Sequence, residues 1–373
     1  MSAPRRSDPV ESFGELLADY CLELKPRDEL LIVGGLQGLE GIKSLYMRAV
    51  VRGAYPRIEL VDDELLEFFY RRAPRELLEF LSPIDEFVYS KVSALAKIGA
   101  PSHTKPLLTV DPERISARAR ATRRLKEIFL ERDARRELRW VTTHFPTPAS
   151  AQEAGFAPLE WREFVFRSMK LHEPDPVAAW REQASAQERI ARALSKIDEL
   201  RILSEDSDLL LKVGGRTWLS DDGKNNMPGG EVFTAPLEDT AEGAVSFTYP
   251  ALWGGAEIEG VRLVFRRGVV VEARALRGDE FLRKMLSTDE GASRLGEVAF
   301  GLNYDIDRFT KHVLFDEKIG GTIHLALGAA YPATGGRNAS SIHWDMVKDM
   351  RRGKVLGDGD VIYENGRFLW DLI

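Results

Sequence analysis

Hydrophobic and polar positions follow two different rhythms along this chain. Up to about residue 200, short apolar runs alternate with stretches whose apolar residues recur every three or four positions. ELLIVGG (Glu29–Gly35) reads as a buried strand, and the pattern after it predicts a helix over about 40–52. RIELV (57–61) predicts the next strand, LLEFFYRRAPRELLEFL a helix, and EFVYS (86–90) a further strand. A long helix over about 112–138, the RWVTTHFP segment, and helices over about 158–171 and 176–196 complete this half. Strands alternating with helices at this spacing predict a mainly parallel α/β sheet.

From Leu200 the period shortens. RILSEDSDLLLKVGGRTWLSDDG alternates polar and apolar residues, and AVSFTYP, AEIEGVRLVFRRGVVVEARAL, GGTIHLALG and DVIYENGRFL continue in that style. Arg267-Gly268 and Asn365-Gly366 mark expected hairpin tips. The pattern therefore predicts an α/β domain over 1–199 followed by a β-rich α+β domain over 200–373.

Composition narrows the function classes. The 373 residues carry a formal net charge of −7, which gives no electrostatic footprint for nucleic acid or an anionic membrane. The most basic stretch, 114–139, interleaves Glu127, Glu131, Asp133 and Glu137, as a salt-bridged surface helix does. A single cysteine, Cys21, excludes an internal disulfide and a thiolate zinc cage. MSAPRRSDPVESFGELLADY lacks the apolar core of a signal peptide, and no later run is long enough to span a membrane, so the expected location is the cytoplasm.

GGLQGLEG after the first strand fits neither a dinucleotide fingerprint nor a P-loop, and neither G-x-S-x-G nor H-E-x-x-H occurs. The acids and histidines of the second half are placed less conventionally. In IHWDM, a strand would point His343 and Asp345 to the same face, with Trp344 on the other. His324 sits inside the apolar run GGTIHLALG. Glu231 follows Gly229-Gly230, which permit a close backbone approach, and Glu297 lies between a glycine and an apolar run. Each has an ordinary structural reading by itself. Together they put ionisable groups on short strands of one domain, where burial is costly unless the groups are paired or bind metal. Imidazole and carboxylate without thiolate suit Zn, Co or Mn, and surplus carboxylates suggest a dinuclear centre.

NMPGGEVFTAP, AVSFTYPALWGG, LGEVAFGLN, DEKIGGTIHLALGAAYP and GGRNASSIHWDM occur in an order that resembles the thermophilic-type metalloaminopeptidases, the aminopeptidase T and S family. THFPTPASAQEAG (143–155) in the first half is similar to that family too. The resemblance implies that Glu231, Glu297, His324, Tyr331, His343 and Asp345 belong to a metal site holding two divalent ions (Zn, Co, Mn or Mg). It implies Glu317 as a further acid, either ligand or proton shuttle, and Tyr331 as ligand or oxyanion stabiliser. One departure stands out: Glu317 precedes His324 by seven residues, where some members have five. The implied activity is removal of N-terminal residues from peptides by a homodimer. A dihydroxypyridine ring-opening dioxygenase also resembles this family, and in that alternative His324, His343 and Asp345 would hold one iron.

Overall fold

The computed structural model describes residues 8–369. The chain divides into two compact units, Met1–Trp180 with Gly223–Pro228, and Arg181–Asp222 with Gly229–Ile373. The first seven residues, part of the stretch read as lacking a signal peptide, lie outside the described residues. Among the described residues no helix is long and apolar enough to cross a membrane.

The first unit carries a five-stranded sheet in the spatial order Tyr55–Val61, Glu29–Gly35, Ala94–Gly99, Arg139–His144 and Asn226–Met227. All four pairings are parallel, as the strand–helix alternation predicts. Leu30, Leu31 and Ile32 are buried in succession, the signature of a strand covered on both faces.

The expected strand at 86–90 is a correction, because those residues lie in the helix Pro83–Lys91. The Ser82 side chain accepts from the Ile84 amide, Pro83 occupies the first turn, and Asp85 and Glu86 face the positive helix end. These start signals outweigh the aromatic and β-branched residues of EFVYS. The strand comes later, at Ala94–Gly99. The single helix expected over 112–138 is two, Pro112–Ala121 and Arg123–Ala134. The helix expected to follow the 57–61 strand is likewise two, Asp63–Arg72 and Arg75–Leu78, interrupted where Pro74 lacks an amide proton.

In the second unit an eight-stranded antiparallel sheet runs in the order Val269–Arg274, Arg262–Arg266, Glu242–Ser246, Ser207–Lys212, Glu199–Ser204, Lys354–Gly357, Asp360–Glu364 and Arg367–Phe368. Both expected hairpin tips are found. Arg267, Gly268, Asn365 and Gly366 all have positive φ, the backbone that a two-residue reversal requires. A second antiparallel sheet has five strands in the order His343–Asp349, Thr322–Gly328, Leu295–Gly301, Glu231–Thr234 and Leu219–Asp221. Its Val298, Phe300, Ile323, Leu325, Trp344 and Met346 join Leu200, Leu209, Val245, Phe265 and Tyr363 of the larger sheet in one buried apolar cluster. One face of the smaller sheet is thus committed to the core, and the other is left for different chemistry.

Lys348 is the one cation among the core-facing positions of the His343–Asp349 strand. Its Nζ donates to Asp206 Oδ1 at 2.8 Å and to the Ser246 carbonyl at 2.9 Å. Partial burial opposes ionisation of Asp206, yet the ammonium and the Ser204 and Ser207 hydroxyls hold its carboxyl down at about 2. A carboxyl lowered on folding adds stability above its unfolded value, and that stability disappears as pH falls through the folded value. Asp206→Asn should therefore cost about 1–2 kcal/mol at pH 7, at the modest end because Asp206 is open to water. The gap from wild type should close as pH falls from about 4 to about 2. Urea denaturation at the two ends of that range checks this, and equal stabilities of the two proteins at pH 7 would contradict it.

Candidate metal centre

Strand register decides which side chains meet. Residues directly opposite in an antiparallel pair share a face, and so do residues two apart along a strand. Asp221 lies opposite Glu231, and Glu231 opposite Gly301. Two and four residues before Gly301 come Ala299, opposite His324, and Glu297, opposite Ala326. Ala326 in turn faces Asp345, and Gly328 faces His343. Asp221, Glu231, Glu297, His324, His343 and Asp345 thus all project from the face that the core does not use. Ala299, Ala326, Gly301 and Gly328 lie between them, small enough to leave room above the sheet.

Local structure fixes several of these groups. Gly230 has φ +120, and a Cβ there would lie 2.6 Å from Asn303 Cβ, so the residue before Glu231 must be glycine. Gln187 Nε2 donates to the backbone carbonyls of Asp221 and Glu231 at 2.9 and 3.0 Å, tying the edge strand to its neighbour. His343 Nδ1 lies 2.8 Å from the Ala329 carbonyl. A carbonyl only accepts, so Nδ1 carries the proton and Nε2 is aimed at the carboxylates.

His324 Nε2 lies 3.0 Å from Glu297 Oε1 and 3.5 Å from Glu231 Oε2. His343 Nε2 lies 3.4 Å from Asp345 Oδ1 and 3.8 Å from Glu297 Oε2. One donor atom from each of Glu297, His343 and Asp345 can be chosen so that all lie within 4.8 Å of one another. Atoms that share one small divalent ion at about 2.0–2.2 Å stand roughly 3–3.6 Å apart, and most of these separations fall in that range. Among the described residues no hydrogen bond reaches the buried Glu231 Oε2, Glu297 Oε2 or His324 Nδ1. The donor set fits a divalent metal, with oxygen and imidazole ligands and no thiolate.

Electrostatics agree with the crowding. Burial pushes the Glu297 carboxyl up despite its bond to His324. Burial by itself would lower His324, but the bond to Glu297 and the charge of Glu231 raise it to about 9. His343 is likewise driven to about 10, mostly by Asp345, against the effect of burial. Asp345 is held well below the usual carboxylate range, its burial outweighed by the two imidazoles and a bond with Glu317.

Glu317 follows the short helix Val313–Asp316 and reaches the same cluster. Its burial, with the charges of Asp345 and Glu231, pushes its carboxyl up against the pull of the neighbouring Lys318. Tyr331 stands at the rim, half exposed, with its ring edge-on to His343 at 5.1 Å and to Phe233 at 5.7 Å. All seven residues singled out in the sequence therefore surround one site. His312 packs on Phe315 instead, and burial lowers it to about 4.

Two residues of the cluster were not foreseen. Lys318 is 2 % exposed, with Nζ 2.6 Å from Glu317 Oε2, 3.1 Å from Glu231 Oε1 and 3.6 Å from Asp221 Oδ2. Asp221 sits in a Ser-Asp-Asp-Gly run that reads as a turn. For Lys318, the only available signal was its position directly after Glu317. Beside the cluster lies a mostly apolar cavity of about 240 Å³, lined by Pro250, Leu252, Trp253, Phe309, Val313 and Val347, with Glu317, His343 and Asp345 at its polar side.

Comparison with known proteins agrees with this chemistry. The family model described as thermophilic metalloprotease (M29) matches residues 7–368. Aminopeptidase 2 of Geobacillus stearothermophilus is 29% identical, over 97% of this chain and 98% of its own length. Aminopeptidase T of Thermus thermophilus is 28% identical, over 96% of this chain and 95% of its own length. The solved wild-type AmpT from Thermus thermophilus superposes with a TM-score of 0.84 at 27% identity, over 97% of this chain and 99% of that one. The fold is also shared, at TM-score 0.61 and 12% identity, by a 2,5-dihydroxypyridine dioxygenase from Pseudomonas putida, over 98% of each chain. The resemblance drawn from the ordered motifs is borne out: this chain belongs to the thermophilic metalloprotease family M29.

Proposed function

We propose that the chain is a metal-dependent aminopeptidase that releases N-terminal residues from peptides at a centre of two divalent ions. The observation that carries this reading is the convergence of Glu231, Glu297, His324, His343 and Asp345 on one sheet face, with buried oxygens left without donors. Glu231, Glu297 and His324 would serve one position, and Glu297, His343 and Asp345 the other, with Glu297 common to both. Bound there, divalent ions supply Lewis acidity and acidify a water molecule.

The chain's own groups do the rest. The Ala329 carbonyl holds the His343 ring in the tautomer whose Nε2 lone pair faces the site. Glu317, raised by burial toward the range where it exchanges protons near neutrality, takes a proton from the attacking water and returns it to the departing amine. Burial and the surrounding carboxylates keep the Tyr331 hydroxyl protonated, so it can donate to the developing oxyanion. An ion held there would take the free α-amino group of a peptide, and the adjoining apolar cavity receives one apolar side chain. The reading includes a homodimer. The mononuclear dioxygenase alternative leaves Glu231 and Glu297 without employment, and no observation favours it.

Leucine p-nitroanilide should be hydrolysed and its N-acetyl derivative left intact in the same assay; equal cleavage of both would sink the exopeptidase reading. Glu317→Gln should lower kcat by about 10²–10⁴-fold while metal content by elemental analysis stays at the wild-type level. An unchanged kcat would remove Glu317 from proton transfer.

A further inference from the structure

The two ends of the cluster differ in what balances their charge. At the Glu297–His343–Asp345 end, the partners are imidazoles, which give up a proton to become ligands. At the other end the partner is an ammonium that belongs to the chain. Lys318 Nζ lies within 3.6 Å of Glu317, Glu231 and Asp221, and it is almost wholly buried. Lysine does not ligate a metal while it remains charged, so this cation competes with an ion rather than assisting it. Glu231 is the contested group, with Oε1 facing Lys318 and Oε2 facing His324.

Resting on the metal-centre reading above, we propose that Lys318 is a built-in cation that makes the two metal positions unequal. The ion at Glu297, His343 and Asp345 binds tightly. The ion that needs Glu231 and His324 binds weakly and exchanges, because Lys318 already holds Glu231 and repels a dication placed next to it. Asp221, with Oδ2 3.6 Å from Nζ, anchors the ammonium and keeps it from leaving.

The consequence is a centre whose second ion follows the metal supply around it. Lys318→Met keeps the length and apolar stem of the side chain and removes the charge; Lys318→Arg keeps the charge. A +1 charge that shares the Glu231 carboxylate with a +2 ion, in a partly desolvated site, is enough to separate the two affinities by roughly 100-fold.

The test is a titration of the metal-free full-length protein with cobalt(II), followed by isothermal calorimetry, with bound metal counted by elemental analysis. Wild type should show two steps about 100-fold apart. In Lys318→Met the weaker step should tighten by about tenfold or more, while Lys318→Arg keeps the wild-type gap. Two equal steps in wild type overturn the proposal without recourse to any variant, so it survives or falls even if Lys318→Met does not fold. A folded Lys318→Met protein with an unchanged weak step overturns it too. Failure of wild type to bind any cobalt is a different result: it removes the metal centre itself, whereas two equal steps with leucine p-nitroanilide hydrolysis intact remove only the role of Lys318.

Discussion

Five carboxylates, Asp221, Glu231, Glu297, Glu317 and Asp345, are gathered in a largely buried space with one ammonium. Ionised groups leave water at a cost of several kcal/mol each, and only compensating positive charge close by makes such a cluster tolerable. Lys318 supplies one positive charge, and a bound divalent metal would supply more. The carboxylates around His324 and His343 raise both imidazoles above their ordinary value. The need for cations at this spot is the constraint that the rest of the second unit serves.

The five-stranded sheet meets it through its two faces. Val298, Phe300, Ile323, Leu325, Trp344 and Met346 lock one face into the apolar core, so the backbone under the site is rigid. The opposite face alternates ligand-type side chains with Ala299, Ala326, Gly301 and Gly328, which give the ligands height and space. A one-residue slip in any strand would exchange the two faces, placing the acids in the core and the apolar residues in the site. Stability and chemistry therefore select the same register.

How much of this the sequence discloses depends on the distance over which each feature is determined. Parallel strands such as Glu29–Gly35 and hairpin tips such as Asn365-Gly366 are decided by neighbouring residues, and they are where the patterning predicts them. EFVYS misleads because its β-forming residues ride on a helix started by Ser82 and Pro83, and the solvent-facing side of that helix accepts Ile84 and Phe87 at 73% and 64% exposure. His343 and Asp345 are legible from their spacing, since a strand's period of two puts them together. Asp221 and Lys318 are not, because nothing local separates them from ordinary turn and loop charges. Only the pairing of Asp221 with Glu231, and the turn that carries Glu317 and Lys318 over that face of the sheet, brings them in.

The most direct test of the central claim is an anomalous difference map from crystals of the full chain loaded with zinc, recorded on both sides of the zinc absorption edge. A peak in contact with Glu297, His343 and Asp345 is the predicted result. Zinc bound elsewhere, with this face of the sheet free of anomalous density, would contradict the account.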